Sequence, residues 1–222
     1  IWFYEVTVAS GRFNDLRKTF DLLGDGDIRI QAILIAFCFG GLLEALAGFG
    51  APVAITATMI LALGMKPLKA ATTVLIANTA PVAFGAVGIP VTTAGSVGGR
   101  TAEQTGDIAG LISLQVLLIA AVVPFFILFI LDGMRGVKEA APAAAVIGVS
   151  FAIAQWAAAT FFAYQLTNVV ACIVSLGAGV LFLRVWKPKG VDSLRERMEL
   201  PAQEEVTDLN GRRIWMALLP YA

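Results

Sequence analysis

The residues best placed to do chemistry lie in an apolar stretch broken by glycine and proline. Glu44 is the one ionisable residue in the run from Ile30 to Leu63, about one helical turn before the sequence GFGAP at residues 48–52. An acid inside such a segment is costly and is a functional candidate by default. Low dielectric and the negative end of the preceding helix should disfavour its ionised form. Glu44 is therefore predicted to bind and release a proton.

A second break follows in the next apolar segment, Leu68 to Ile89, where Pro81 removes a backbone donor and frees a carbonyl one turn earlier. Asn78 and Thr79 offer an amide and a hydroxyl there, either for a ligand carboxylate or hydroxyl or to satisfy the freed carbonyl. Pro52 suits the start of a helix whose free N–H groups would favour an anion. The predicted binding residues are Gly48, Phe49, Gly50, Pro52, Asn78, Thr79 and Pro81.

The composition indicates what kind of protein positions these residues. Hydrophobic residues make up 58% of the 222, charged residues 14%, and the mean hydropathy is +0.82. These values are too apolar for an ordinary soluble domain. We expect an all-α membrane protein, a multi-span helical bundle with a re-entrant hairpin and a broken helix, and the lipid bilayer as a partner.

Segment lengths define the predicted elements. A helix needs about 20 apolar residues to cross a bilayer, and Ile108–Leu131, Ala140–Phe162 and Leu166–Trp186 meet that length. The limb after Pro52 has only about 13 residues, roughly 20 Å, which favours a re-entrant hairpin. The predicted boundaries are the end of a span and a loop at 1–29, a hairpin at 30–63, a broken helix at 64–89, an external loop at 90–107, three spans within 108–186, a charged loop at 187–213 and the start of a span at 214–222. We expect the chain to be an internal part of a longer protein.

The distribution of lysine and arginine predicts the orientation. Nearly all basic residues lie in the connections 11–29, 64–69, 132–139 and 187–213, whereas 90–107 contains only Arg100. By the positive-inside rule the basic connections are cytoplasmic, which places the protein as a multi-pass component of a plasma membrane.

Other classes of function are excluded or disfavoured by residue content. Histidine is absent, so a Ser-His-Asp triad or a zinc site of the H-E-x-x-H type is impossible within these residues. Cys38 and Cys172 lack metal-ligand spacing and are predicted to be packing residues. The net charge is zero, so the sequence has no excess of basic residues of the kind that binds nucleic acid. We expect no catalytic residues, no cofactor and no metal, and the residues carry no signal for an oligomeric state.

Two long motifs resemble the L-lactate permease family. They are LEALAGFGAPVAI at residues 43–55 and IANTAPVAFGAVGIP at residues 76–90, and DGMRG at 132–136 and SFAIAQ at 150–155 resemble later family segments. The sequence departs from the family pattern at Ala45-Leu46, where Gly-Ala is usual, and at Leu111-Ile112, where Arg-Gln is common. The second departure removes a candidate partner for a substrate carboxylate.

The resemblance implies uptake of lactate or glycolate with a proton in a bacterial inner membrane, by a protein of which this chain is one half of an inverted repeat. Three alternatives stay open. A sodium-coupled carrier could hold the ion on the freed carbonyls. An intramembrane enzyme could use Glu44 as general acid or base, although no second titratable group is paired with it. A structural membrane subunit without transport activity is the third.

Overall fold

All regular structure that the chain shows is helical. The computed structural model describes residues 9, 12–24, 26–48, 50–188 and 190–197, and this part of the chain contains no strand. Three helical stretches are long and apolar enough to cross a membrane, namely Ile28–Ala47, Ala102–Phe161 and Tyr164–Val185. The prediction of an all-α membrane protein is confirmed, whereas the inverted repeat stays a prediction.

Eight helices follow in the described chain. They are α1 (Arg12–Leu23), α2 (Ile28–Ala47), α3 (Ala51–Ala62), α4 (Pro67–Ala77), α5 (Ile89–Val97), α6 (Ala102–Phe161), α7 (Thr167–Val185) and α8 (Val191–Arg197). Short 3-10 turns at Ala86–Gly88 and Tyr164–Leu166 lead into α5 and α7.

Helix α2 is the central element, because 83% of its most apolar window is buried within the protein, against 33% for α6 and 39% for the stretch that contains α7. Asp27 caps its N-terminus by accepting a hydrogen bond from the Arg29 backbone. Its middle, Leu34–Phe39, is a π-helix, a widened turn that is frequent at functional sites. A helix buried on all sides must be apolar all round, which explains why α2 lacks a polar stripe.

Helix α6 is a helical hairpin, since its path is interrupted at Asp132 and Gly133, where Gly133 has a φ of 63°. We call residues 102–131 its first arm and residues 134–161 its second arm. A Cβ on Gly148 would collide with the Ala121 carbonyl oxygen, and one on Gly110 would lie 3.5 Å from Thr160 Oγ1. These pairs show two antiparallel arms in close contact.

The outer faces of α6 and α7 carry large apolar side chains that are more than half exposed. They include Leu114, Leu118, Phe126, Phe129, Ile173 and Leu181. An exposed apolar surface of this kind is suited to hydrocarbon and unsuited to water.

The structure differs from the expected loops in two places. The stretch 90–107 contains most of α5 and the start of α6. A helix can begin here because Pro90 lies in the first turn of α5, where its missing N–H is tolerated. The stretch 132–139 is helical except at Asp132 and Gly133, because one left-handed glycine is enough to reverse the chain. The part of the predicted loop 187–213 beyond residue 197, and the predicted span start at 214–222, lie outside the described residues.

Helices α2 and α3 form a hairpin, in which a Cβ on Gly40 would lie 3.2 Å from the Thr56 side chain. Helix α2 has 20 residues and α3 has 12. At 1.5 Å per residue α2 reaches about 30 Å and α3 only about 18 Å, so α3 is too short to cross a bilayer. The re-entrant arrangement stays a prediction.

Candidate functional site

The tip of the α2–α3 hairpin is built on two glycines. Gly48 has φ 59° and ψ −166°, and Gly50 has φ 84°, both in regions that side chains rarely enter. A Cβ on Gly48 would also lie 2.8 Å from the Ala86 Cβ. Pro52 then stands in the first turn of α3, as the sequence predicted. Phe49 lies outside the described residues.

The second break begins where α4 ends at Ala77 and continues as turns to residue 85. The amides of Phe84 and Gly85 both donate to the Pro81 carbonyl, at 3.2 and 3.0 Å. Val87 has φ 48° and ψ 34°, a left-handed conformation that is unusual for a β-branched residue. Such strained backbone is held only where the surroundings determine it, and it is common at functional sites.

Glu44 lies on the face of α2 that packs against this second break. It lies one turn from both Gly41 and Gly48 on the same face of α2. A Cβ on Gly41 would lie 3.8 Å from the Pro81 side chain and 2.8 Å from Cys172 Sγ, and Gly48 abuts Ala86. Glu44 is 7% exposed, and its Oε2 has no hydrogen-bond partner among the described residues. The two breaks and the buried acid are therefore brought together.

Two buried amides donate hydrogen bonds to backbone carbonyls of the second break. Asn168 Nδ2 donates to the carbonyls of Pro81 at 2.8 Å and Gly85 at 3.3 Å. Gln155 Nε2 donates to the Ala80 carbonyl at 3.3 Å and to Asn168 Oδ1 at 3.2 Å. Gln155 is 0% exposed and Asn168 2% exposed. This pair, from the second arm of α6 and from α7, holds the broken backbone in place.

The level of Gln155 along α2 follows from two other contacts. Arg29 Nη1 donates to Glu139 Oε2 at 2.7 Å, and the rings of Phe37 and Phe151 are 4.7 Å apart. Helix α2 and the second arm of α6 thus run side by side in the same direction. Gln155, one turn beyond Phe151, is level with residue 41, about one turn from Glu44.

Asn78 and Thr79 were predicted from the sequence as binding residues, whereas Gln155 and Asn168 were not. Thr79 is exposed, and its hydroxyl donates to the Ile76 carbonyl at 2.7 Å. Asn78 is partly buried, and its side chain makes no hydrogen bond to another described residue. The missed signal was an amide inside each of two predicted spans, where a polar side chain needs a buried partner.

A charged cluster occupies the other end of α2. Arg29 is fully buried, and its guanidinium contacts Asp27 at 2.7 Å, Asp132 at 3.1 Å and Glu139 at 2.7 Å. Arg197 of α8 also contacts Asp132, at 2.8 Å. We call these residues the Arg29 cluster, and it joins α2, the turn of α6 and α8. Lys69 donates to the Leu131 carbonyl at the same end.

A cleft of about 540 Å³ opens near the far end of α6, lined by Gly110, Leu111, Trp156 and Tyr164 among others. Leu111, which stands where an Arg is common in the resembling family, is 62% exposed there. Within the described ranges, no group of three or more His, Cys, Asp or Glu residues could hold a metal ion. Both cysteines are free thiols and buried.

These features define a helical membrane protein in which a buried acid and two buried amides lie beside breaks in the helical backbone. A model of the L-lactate permease family matches residues 1–222, and the chain belongs to that family. The family membership that the motifs indicated is confirmed. The family is one of permeases and not of enzymes.

Three relatives illustrate the match. The chain is 45% identical over 193 residues to glycolate permease GlcA of Escherichia coli, covering 87% of this chain and 34% of that protein. It is 45% identical over 188 residues to the L-lactate permease of Escherichia coli, covering 85% and 33%. It is 40% identical over 228 residues to the L-lactate permease of Bacillus subtilis, covering 100% and 40%. The chain thus spans about a third to two fifths of these relatives, and no solved structure matches it.

Proposed function

We propose that the protein carries lactate, glycolate and related small 2-hydroxymonocarboxylates across a bacterial inner membrane together with a proton that Glu44 binds. The relatives are named for lactate and glycolate, and several come from bacteria with an inner membrane. The observation that carries the proposal is the buried Oε2 of Glu44, which has no partner in the described chain and belongs to the face of α2 that packs against the second break.

Coupling follows from the two protonation states of Glu44. The ionised carboxylate repels an anionic substrate in a site of low dielectric. The protonated carboxyl is neutral and has an O–H that can donate to the substrate carboxylate. Anion and proton therefore bind best together, and each raises the affinity for the other.

The anion is proposed to lie between the two breaks. Its contacts come from the hairpin tip, Gly48 to Pro52, and from the second break at Asn78 and Pro81. The Asn78 amide has no partner among the described residues and can donate to a carboxylate oxygen, whereas the Thr79 hydroxyl donates to the Ile76 carbonyl and offers only acceptor capacity.

Sodium coupling is less well supported by the contacts at the break. It would require freed carbonyls to surround the ion, but the carbonyls of Ala80, Pro81 and Gly85 accept hydrogen bonds from Gln155 and Asn168. Amide hydrogens directed at these oxygens oppose a cation in the same place.

The end of the molecule with the Arg29 cluster is proposed to face the cytoplasm. Lys69, Arg29 and Arg197 gather there through contacts to Leu131, Asp132 and Glu139. By the positive-inside rule, this clustering of basic residues supports a cytoplasmic position for the connections 64–69 and 132–139. The hairpin tip lies toward the opposite end, because Gly88, two residues after Ala86, packs on Tyr164 and Gln165.

Transport by the complete protein in proteoliposomes tests the proposal. Labelled L-lactate is supplied outside, in sodium-free medium, with the outside more acidic than the inside. We expect transient accumulation above the outside concentration, and none when a protonophore is added. Accumulation driven only by a sodium gradient at equal pH would show that sodium, and not the proton, is the coupling ion. Failure to accumulate lactate or glycolate under either gradient would contradict the carrier itself.

A further inference from the structure

We infer that Gln155 recognises the 2-hydroxyl group of the transported acid and that Asn168 positions the Gln155 amide for this contact. The inference rests on the proposed function and deepens it, because it names the side chain that separates hydroxy acids from simple carboxylic acids. Gln155 lies outside both breaks, on the second arm of α6.

The hydrogen-bond partners of Asn168 and Gln155 fix the orientation of both side-chain amides. Asn168 meets two backbone carbonyls, of Pro81 and Gly85, and carbonyls only accept, so its NH₂ group must point to them. Its Oδ1 is then the atom that faces Gln155 at 3.2 Å. Gln155 must donate both to this oxygen and to the Ala80 carbonyl, which places its own NH₂ group there. A flip of either amide would oppose acceptor to acceptor.

This arrangement leaves Gln155 Oε1 as a fixed and unused acceptor. The side chain is 0% exposed, and Oε1 has no hydrogen-bond donor within the described part of the chain. A buried acceptor without a donor is unfavourable and uncommon in a folded protein. Thr73 and Thr167 also bury oxygens without partners, but a hydroxyl hydrogen rotates and fixes no direction.

The chemistry of the ligand supplies the missing donor. A carboxylate has only acceptor oxygens, so the substrate carboxylate cannot satisfy Gln155 Oε1. The hydroxyl on the neighbouring carbon of a 2-hydroxy acid has a hydrogen to donate. A protonated Glu44 donates to the carboxylate, and Gln155 accepts from the hydroxyl. Gln155 and Glu44 lie about one helical turn apart in level along α2.

Competition between matched acids tests the inference in the complete protein. L-lactate and propionate differ only in the 2-hydroxyl, and each competes with labelled L-lactate for uptake. In the wild type we expect propionate to inhibit at least roughly tenfold more weakly than lactate, since an acid without the hydroxyl leaves Oε1 unpaired. In Gln155→Met, which keeps the length but has no acceptor amide, the ratio should fall close to one. Changes in the amount of inserted protein affect both competitors alike.

The matched control is Ser175→Ala, which removes a buried hydrogen bond from α7 to the Ile147 carbonyl and leaves Gln155 intact. Its ratio should equal that of the wild type. Should Gln155→Met fail to insert, Gln155→Asn keeps the amide but withdraws it by one methylene, and the same fall in ratio is expected.

A wild-type ratio in either inserted Gln155 variant would overturn the inference. So would wild-type protein that accumulates lactate but is inhibited equally by propionate, and in that case the proposed function stands. Absence of any lactate uptake in the wild type would instead contradict the proposed function.

Discussion

Two buried polar sets of residues in the described chain differ in how fully their atoms are paired. One is the Arg29 cluster at one end of α2. The other, here called the Glu44 group, comprises Glu44 near the other end of α2 and, about one helical turn away in level, the Gln155–Asn168 pair. Arg29 contacts three carboxylates between 2.7 and 3.1 Å. In the second group, Glu44 Oε2 and Gln155 Oε1 have no partner among the residues that the structure describes. A fully paired cluster holds helices together, whereas an incompletely paired one has capacity left for a ligand.

The difference has energetic consequences that mutations can separate. Removing one member of a buried ion cluster leaves uncompensated charge, which is strongly destabilising. Removing the Glu44 carboxyl, whose Oε2 has no partner in the described chain, costs little folding energy and is detected in transport. The Arg29 cluster should therefore control stability, and the Glu44 group should control coupling and specificity.

The largest effect on stability is expected for Arg29→Gln. It leaves Asp27 buried and without its guanidinium partner, and we expect a loss of about 3–5 kcal/mol. Thermal unfolding in detergent measures the change, with Arg184→Gln as control, because Arg184 is exposed near the end of α7. The control should change stability by about 0.5 kcal/mol or less. Equal stability of the two variants would remove the distinction between the clusters.

A smaller loss is expected for Gly48→Ala at the hairpin tip. Its φ of 59° and the 2.8 Å approach to the Ala86 Cβ both oppose a side chain. We expect about 1–3 kcal/mol of destabilisation and a slower transport rate. Gly106→Ala is the matched control, because a Cβ there meets nothing within 4 Å and alanine is favoured in a helix. A Gly48→Ala variant with the same stability as the wild type would show that these contacts do not hold the tip.

The smallest effect on stability is expected for Asn78→Ala. The Asn78 side chain makes no hydrogen bond to another described residue, so its loss should cost about 0.5 kcal/mol or less. If the amide binds the substrate carboxylate, the apparent affinity for lactate should nevertheless fall about tenfold. Unchanged affinity together with a large loss of thermal stability would assign Asn78 a structural role instead.

The sequence predicts those features that depend on local chemistry. Gly48 ends α2 and Gly50 precedes α3 as expected, since no other residue adopts their backbone conformations easily, and the chain leaves the α-helix after Ala77 near Pro81. The resemblance in residues 43–55 and 76–90 also indicated the family. The signals for the helix ends lie within about one or two helical turns of those ends.

The partners of the site could not be predicted, because they are distant in the chain. Gln155 meets Ala80 across 75 positions, and Asn168 meets Pro81 across 87. Arg29 was expected in a loop, but its contact with Glu139, 110 positions away, buries it. Only the packing of α2 against α6 and α7 brings these side chains together.

The central claim, that the acid facing the break carries the coupled proton, is tested most directly by Glu44→Gln in the complete protein. Glutamine keeps the size and a hydrogen-bond donor but cannot titrate, so it resembles the protonated acid. We predict that uphill lactate uptake driven by a pH gradient is lost, while exchange of labelled for unlabelled lactate at equal pH continues and the amount of inserted protein is unchanged. Accumulation of lactate by the variant against its gradient, with normal dependence on pH, would contradict the account and place the proton site elsewhere.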